Sequence, residues 1–285
     1  MATYTFKTDE KTANRILNSF EKEYFVTAPQ YARARIRYDD TIITVYESGT
    51  VMFQGDNAEI YYRSFAPAKE QVFPQAGSDE VGTGDFFGPV CVCACYLDEQ
   101  IYEKIKHLNL IDSKRLSDSH VMEIGPVLDK EVPHSLLILD NARYNVVVKQ
   151  NNLNRIKARM HNKCYLNLRD KGIKLPKLTV IDDFCGESLY YHYLRGEPQT
   201  VRGITFQTKA EDSYLAVACG AIISRYAFLE SMRAMSEKYG FTFPKGAGAK
   251  VTEKAREFLK NHSQAELAKV AKLNFKTVNE LSEPL

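Results

Sequence analysis

The chain has 285 residues, 44% apolar and 26% charged, an ordinary globular composition that excludes a disordered tail and suits two domains. A formal charge of +2 hides an uneven distribution: residues 243–276 carry eight Lys or Arg against three Glu, which suits a polyanionic partner or the solvated face of a helix. No apolar run approaches the roughly 18 residues of a membrane span, and the charged first 25 residues do not read as a secretory signal, so a cytoplasmic protein with no membrane partner is expected.

Residues 8–24 place Ile16, Leu17, Phe20 and Tyr24 at helical spacing behind a Thr8 or Asp9 cap, which predicts an opening amphipathic helix. Alternating strands are predicted at 31–38, 41–46 and 50–54, the last two joined by a turn at Glu47-Ser48-Gly49. A short helix near 56–65 closes this first unit. Arg33, Arg35 and Arg37 have period 2, so a strand would project all three from one face, where they could follow a phosphate backbone or simply face solvent. The unit is not basic overall, with nine Lys or Arg against ten Asp or Glu through residue 75. Two prolines, a glycine and no periodicity between Phe65 and Gly77 mark an interdomain linker, with domains expected at 1–67 and 76–285 and a linker at 68–75.

Beyond residue 76 apolar strands alternate with long helical stretches, the pattern of an α/β domain. Strands are predicted at 76–81, 87–97, 134–140, 178–182 and 201–206. Helices are predicted near 117–130, 150–171, 186–194, 212–238 and 252–261. Cys91, Cys93 and Cys95 alternate inside an apolar strand and read as buried thiols, and no CxxC supports a zinc site. Tyr190, Tyr191, Tyr193 and His192 read as packing residues of a helix face. A monomer is expected, since no extra apolar stripe offers a partner helix.

The chemistry-bearing candidates are carboxylates at the ends of elements. Asp79 and Glu80 close a short strand and precede Gly82-Thr83-Gly84; adjacent acids there are costly unless paired or bound to a cation. Asp182 ends the apolar run Leu178–Ile181. Glu211 precedes a helix whose small residues at 216 and 218–221 predict close packing on the sheet. Converging carboxylates favour hard divalent cations, magnesium or manganese, and two such ions suit in-line phosphodiester displacement. Taken singly, each acid could be a helix cap or a surface charge. No nucleotide-binding loop follows Gly82-Thr83-Gly84, but glycines there would let the backbone approach a sugar-phosphate chain and its 2'-hydroxyls.

The stretch Asp79-Glu80-Val81-Gly82-Thr83-Gly84-Asp85-Phe86-Phe87-Gly88-Pro89 resembles the signature of the type 2 ribonucleases H, in the form carried by bacterial ribonuclease HIII. The resemblance continues through Asp112-Ser113-Lys114-Arg115-Leu116-Ser117, Val180-Ile181-Asp182, Lys209-Ala210-Glu211, Ala216-Val217-Ala218 and Ile222-Ile223-Ser224-Arg225-Tyr226, covering residues 74–285. The N-terminal segment is similar to the TATA-binding-protein-like domain of that group. The resemblance implies a ribonuclease H-like mixed sheet with flanking helices behind a small helix-plus-antiparallel-sheet domain. It implies an endonuclease that cuts the RNA strand of RNA–DNA hybrids with two magnesium or manganese ions, leaving 5'-phosphate and 3'-hydroxyl ends.

Carried over, Asp79, Glu80, Asp182 and Glu211 would be the metal-binding catalytic residues, and Gly82, Thr83 and Gly84 would touch 2'-hydroxyls. Lys114, Arg115, Lys209, Arg225 and Lys245 read as phosphate contacts or as surface cations. Departures from the sister ribonuclease HII family point to hybrids with runs of ribonucleotides. Thr83 stands where that family has Arg, Glu211 where it has Asp, and Ala247 where it has a tyrosine in a Lys-Gly-Tyr-Gly stretch; single-ribonucleotide incision and a non-catalytic hybrid clamp are the competing readings.

Overall fold

The structure, a computed structural model, describes residues 2–66, 71–108, 110 and 116–281, and the chain divides into two units, residues 1–70 and 71–285.

The first unit opens on a strand, β1 (Ala2–Lys7), where the sequence predicts only a helix. The helix itself, α1 (Glu10–Asn18), is shorter than predicted; Asp9 caps it by accepting the Thr12 N–H at 2.8 Å. It is followed by β2 (Phe25–Val26), β3 (Ala32–Tyr38), β4 (Thr41–Tyr46), β5 (Thr50–Gly55) and α2 (Ala58–Phe65). The strands form one antiparallel sheet in the order β1-β5-β4-β3-β2. One face carries Ile36, Ile43, Val45, Val51 and Phe53 against Ala13, Ile16 and Ala58 of the helices.

The second unit contains β6 (Gln75–Val81), β7 (Val90–Leu97), α3 (Glu99–Ile105), α4 (Asp118–Glu131), β8 (His134–Leu139), α5 (Asn141–Val147), α6 (Leu153–Asp170), β9 (Leu178–Asp182), α7 (Glu187–Tyr193) and β10 (Thr205–Gln207). After these come α8 (Leu215–Tyr239), α9 (Ala249–Leu259), α10 (Gln264–Val270) and α11 (Lys276–Leu281). The predicted strand 201–206 is thus reduced to 205–207, and α3, α5, α10 and α11 are helices that periodicity does not reveal; all four have only six or seven residues. The sheet order is β10-β9-β6-β7-β8, with β10, β9 and β6 parallel and the β6-β7 and β7-β8 pairs antiparallel.

Helices cover both faces of this mixed sheet. On one side Cys93, Cys95 and Leu97 pack with Val121 and Leu128 of α4 and Cys219 and Ile223 of α8. On the other, Ala76, Val92, Ala94 and Ile181 pack with Tyr165 and Leu168 of α6 and Tyr190 of α7. Burying one such leucine fully stabilises the fold by about 1.5–3 kcal/mol. The six cysteines are free, and Cys91, Cys93 and Cys95 are buried as the sequence predicts for those three. Tyr190 is buried but His192 is exposed, which corrects the packing role expected of that histidine. Among the described residues α8 alone is long and apolar enough to cross a membrane, and 67% of that stretch is buried inside the unit, as in a core helix.

Close contact between α8 and β6 positions the candidate site. A Cβ on Gly220 would lie 2.8 Å from the Cys93 carbonyl oxygen and 3.3 Å from the Asp79 nitrogen, so a bare glycine is what lets the helix sit against the strand. This is the close packing that the small residues near 216–221 predict.

Candidate metal centre

Strand alternation sends Asp79 and Glu80 to opposite faces of β6. Asp79 lies on the α8 side with 6% of its surface exposed. Asp182, the last residue of the parallel neighbour β9, reaches the same point. Glu211 arrives on a 3-10 turn, Ala210–Asp212, just before α8, and is 1% exposed. The turn is tied to the strand, because Asp182 Oδ1 accepts the Ala210 N–H at 2.9 Å. One carboxylate oxygen from each of Asp79, Asp182 and Glu211 lies within 4.8 Å of the other two. Burial first, and then the charges of Glu80, Asp182 and Glu211, push the Asp79 carboxyl well above its ordinary range. Three oxygen donors gathered out of water suit a hard divalent cation, whose charge would offset their repulsion.

Glu80 stands apart from that triad. On its side of the sheet α6 presents Lys157, His161 and Tyr165 at a spacing of four residues, one helical stripe. Lys157 Nζ forms an ion pair with Glu80 Oε1, and His161 Nε2 lies 2.9 Å from Oε2. The opposite ring nitrogen of His161 lies 2.7 Å from Ser78 Oγ, and Tyr165 donates to the Val180 carbonyl oxygen at 2.6 Å. Phe184 roofs the group, its ring centroid 3.9 Å from Lys157 Nζ and 5.4 Å from the His161 ring. Burial pulls the Glu80 carboxyl up, but His161 and Lys157 together outweigh it and hold the group below its ordinary value. Sequence reasoning misses Lys157 and His161. Positions 157, 161 and 165 share one stripe, but ten of the 18 residues of α6 are polar or charged, so nothing in the sequence sets that stripe apart.

Asp183 and Asp85, the other acids that could compete for a metal role, serve the backbone. Asp183 Oδ1 accepts the N–H groups of Cys185 and Gly186 at 3.0 and 2.6 Å, and Asp85 Oδ1 accepts that of Gly246 at 2.6 Å. Gly82 takes a left-handed φ of +87°, and a Cβ there would fall 2.1 Å from the Pro89 carbonyl oxygen. Thr83 is half-buried; Gly84 is exposed, with nothing among the described residues within 4 Å of where its Cβ would be.

Of the basic candidates, Arg225 and Lys245 converge on Asp118 at the start of α4. Arg225 Nη2 donates to Asp118 Oδ1 at 2.6 Å, its Nη1 to the Leu116 carbonyl oxygen at 2.8 Å, and Lys245 pairs with Asp118 Oδ2. Nothing in the sequence singles out Asp118 for this role. Lys209 is exposed and adopts a left-handed φ of 54° to start the turn carrying Glu211. Lys114 and Arg115 lie outside the described residues. In the first unit a β-bulge between Ala32 and Ala34 leaves Arg33 without a cross-strand partner, and it donates to Asn14 Oδ1 at 3.0 Å. The expected row of three arginines is therefore broken, and only Arg35 and Arg37 keep regular pairing.

Comparison with known proteins bears on both units. Residues 76–278 match the family model of ribonuclease HII, and residues 3–76 match a domain of unknown function (DUF3378). Ribonuclease HIII of Staphylococcus aureus (strain Newman) is 34% identical, over 97% of this chain and 96% of its own. The structure of Bst-RNase HIII in complex with Mn2+ superposes with a TM-score of 0.74 at 31% identity, covering 99% of each chain. Aquifex aeolicus RNase H3 follows with a TM-score of 0.58 at 26% identity, over 95% of this chain and 99% of that one.

Proposed function

The chain belongs to the ribonuclease HIII family, and on that premise we propose that Asp79, Asp182 and Glu211 hold the divalent cations of an endoribonuclease that hydrolyses the RNA strand of RNA–DNA hybrids. The observation that carries the reading is the meeting of these three carboxylates within 4.8 Å. Magnesium or manganese held there, two ions in this reading, would supply Lewis-acid and water-activating chemistry for in-line displacement at the phosphodiester. Products then carry 5'-phosphate and 3'-hydroxyl ends.

Within this reading Asp79 would be the shared ligand, because it lies on the central strand of the sheet and meets both other acids, and Asp182 and Glu211 would complete the donor set. Glu80 is the fourth acid of the centre, coordinating or orienting water while Lys157 and His161 fix it from the α6 side. Gly82, Thr83 and Gly84 present backbone groups to ribose 2'-hydroxyls, which tells RNA from DNA. Arg225, Lys245 and Lys209, with Lys114 and Arg115, neutralise phosphates, and on the first unit Arg35 and Arg37 remain the candidates for the same role. The enzyme acts as a monomer in the cytoplasm.

Two end-labelled duplexes test the assignment, one an all-RNA strand on DNA and one DNA with a single ribonucleotide, each incubated with magnesium, manganese or chelator. Metal-dependent cutting of the first and poor cutting of the second is the expected result. Equal cutting of the second would overturn the role given to Thr83 and Ala247. Tight binding without cleavage under either metal would reduce the protein to a hybrid clamp.

A further inference from the structure

Lys272 belongs to the basic stretch that suggests a polyanion surface, yet it is wholly buried. Its surroundings are the loop between β6 and β7. The Lys272 ammonium donates to the carbonyl oxygens of Asp85, at 2.8 Å, and Gly88, and its own N–H donates to the Phe86 carbonyl at 2.8 Å. The same loop is fastened at neighbouring points: Phe86 N–H to the Gly246 carbonyl at 2.9 Å, Gly88 N–H to that of Val270 at 3.0 Å, and Asn141 Nδ2 to the Gly88 carbonyl at 2.8 Å.

A buried ammonium is expensive to desolvate, and among the described residues both oxygens it meets at hydrogen-bond distance are main-chain carbonyls. Burial accordingly drags its pKa down to about 8, against the pull of Asp85 and Cys91. A methionine would fill the same space without that penalty. The charged group is explained by what it joins, two carbonyls three residues apart in the loop that begins at Gly82.

We propose that Lys272 is a positioning residue whose ammonium cross-links the Asp85 and Gly88 carbonyls, fixes the path of Gly82-Thr83-Gly84, and so sets discrimination between hybrid and all-DNA duplex. This rests on the function proposed above for that glycine turn. The test compares full-length wild type with Lys272→Met and with Lys272→Arg, which keeps charge and donors. Hydrogen exchange by mass spectrometry reads the 82–89 segment, and the ratio of dissociation constants for hybrid and DNA duplex, measured with chelator, reads discrimination.

Lys272→Met should speed exchange in 82–89 while β6 and β9 stay protected, and should lower the discrimination about tenfold, the size of one lost charge-assisted hydrogen bond. Lys272→Arg should stay closer to wild type in both. Unchanged exchange, a general rise across the unit, or faster loop exchange with unchanged discrimination would each overturn the proposal. If Lys272→Met does not fold, the same two readouts on Lys272→Gln decide by the same criteria. Failure of wild type to cleave hybrid would count against the functional reading instead, since the exchange measurement does not depend on cleavage.

Discussion

Asp79 and Glu80 are neighbours in sequence that stand on opposite faces of β6, one among carboxylates beside α8 and the other against a lysine and a histidine of α6. Asp79 is buried and Glu80 largely so, yet their acidities move in opposite directions, the Asp79 pKa up and the Glu80 pKa down. Strand geometry makes the separation and the helices supply the difference: α8 arrives with another acid at its start, whereas α6 arrives with a cation. Burial alone therefore does not decide which way a carboxyl shifts; the charges beside it do, and a group buried among like charges has the more to gain from a divalent ion.

The largest expected effect falls on the α8 face. Asp79→Asn should reduce hybrid cleavage by a factor of at least about a thousand, roughly 4 kcal/mol of transition-state stabilisation. In chelator the same variant should unfold at a higher temperature than wild type, because a repelled buried charge is gone, and adding manganese should raise its Tm less than it raises that of wild type. Near-normal turnover would sink the assignment of the triad.

On the α6 face the same kind of deletion should act on stability. Lys157→Met leaves Glu80 charged and without the ammonium of its ion pair, and should destabilise the second unit by about 3–5 kcal/mol in chemical denaturation. Adding Glu80→Gln to that variant should restore much of the loss. If the double variant is no more stable than the single one, the ion pair is not what sustains Glu80 there.

Smaller, and opposite in sign, are the pH dependences of metal-free stability. The folded state keeps the Asp79 proton where the unfolded chain has lost it, so this group makes stability fall as pH rises above its ordinary 3.8. Glu80 is the reverse: the unfolded chain binds more protons near and below 4.5, and the stabilisation present above that value is lost as pH drops through the lower folded pKa. Asp79→Asn should remove the first slope and Glu80→Gln the second, with about 1.4 kcal/mol at stake for every tenfold difference in acidity between folded and unfolded chain. Slopes of the same sign in unfolding curves recorded from acid to neutral pH would contradict the difference between the faces.

Much of this is legible in the sequence. Asp79, Asp182 and Glu211 end their elements, and the glycine and alanines of α8 announce the close approach that joins them. The fate of Glu80 is not legible, because Lys157 and His161 lie far along the chain and only the β6-α6 contact brings them near. Asp118 is hidden for the same reason: it reads as a helix start, and its grip on Arg225 and Lys245 is tertiary. β1 escapes notice since the amphipathic run after it dominates the opening residues. Period counting puts Arg33 in line with Arg35 and Arg37, but one extra residue in the bulge re-aims it. Lys272 looks like one more surface cation until the C-terminal segment folds over it.

Gly84 offers a different kind of access to this molecule. A methyl group added there has nothing among the described residues within 4 Å to strike, whereas at Gly82 it would collide with the backbone of Pro89. Among those residues position 84 is silent, and it answers to whatever arrives from solvent. It therefore works as a stethoscope for approach: a single added carbon senses the distance between loop and visitor while the fold carrying it stays as it is.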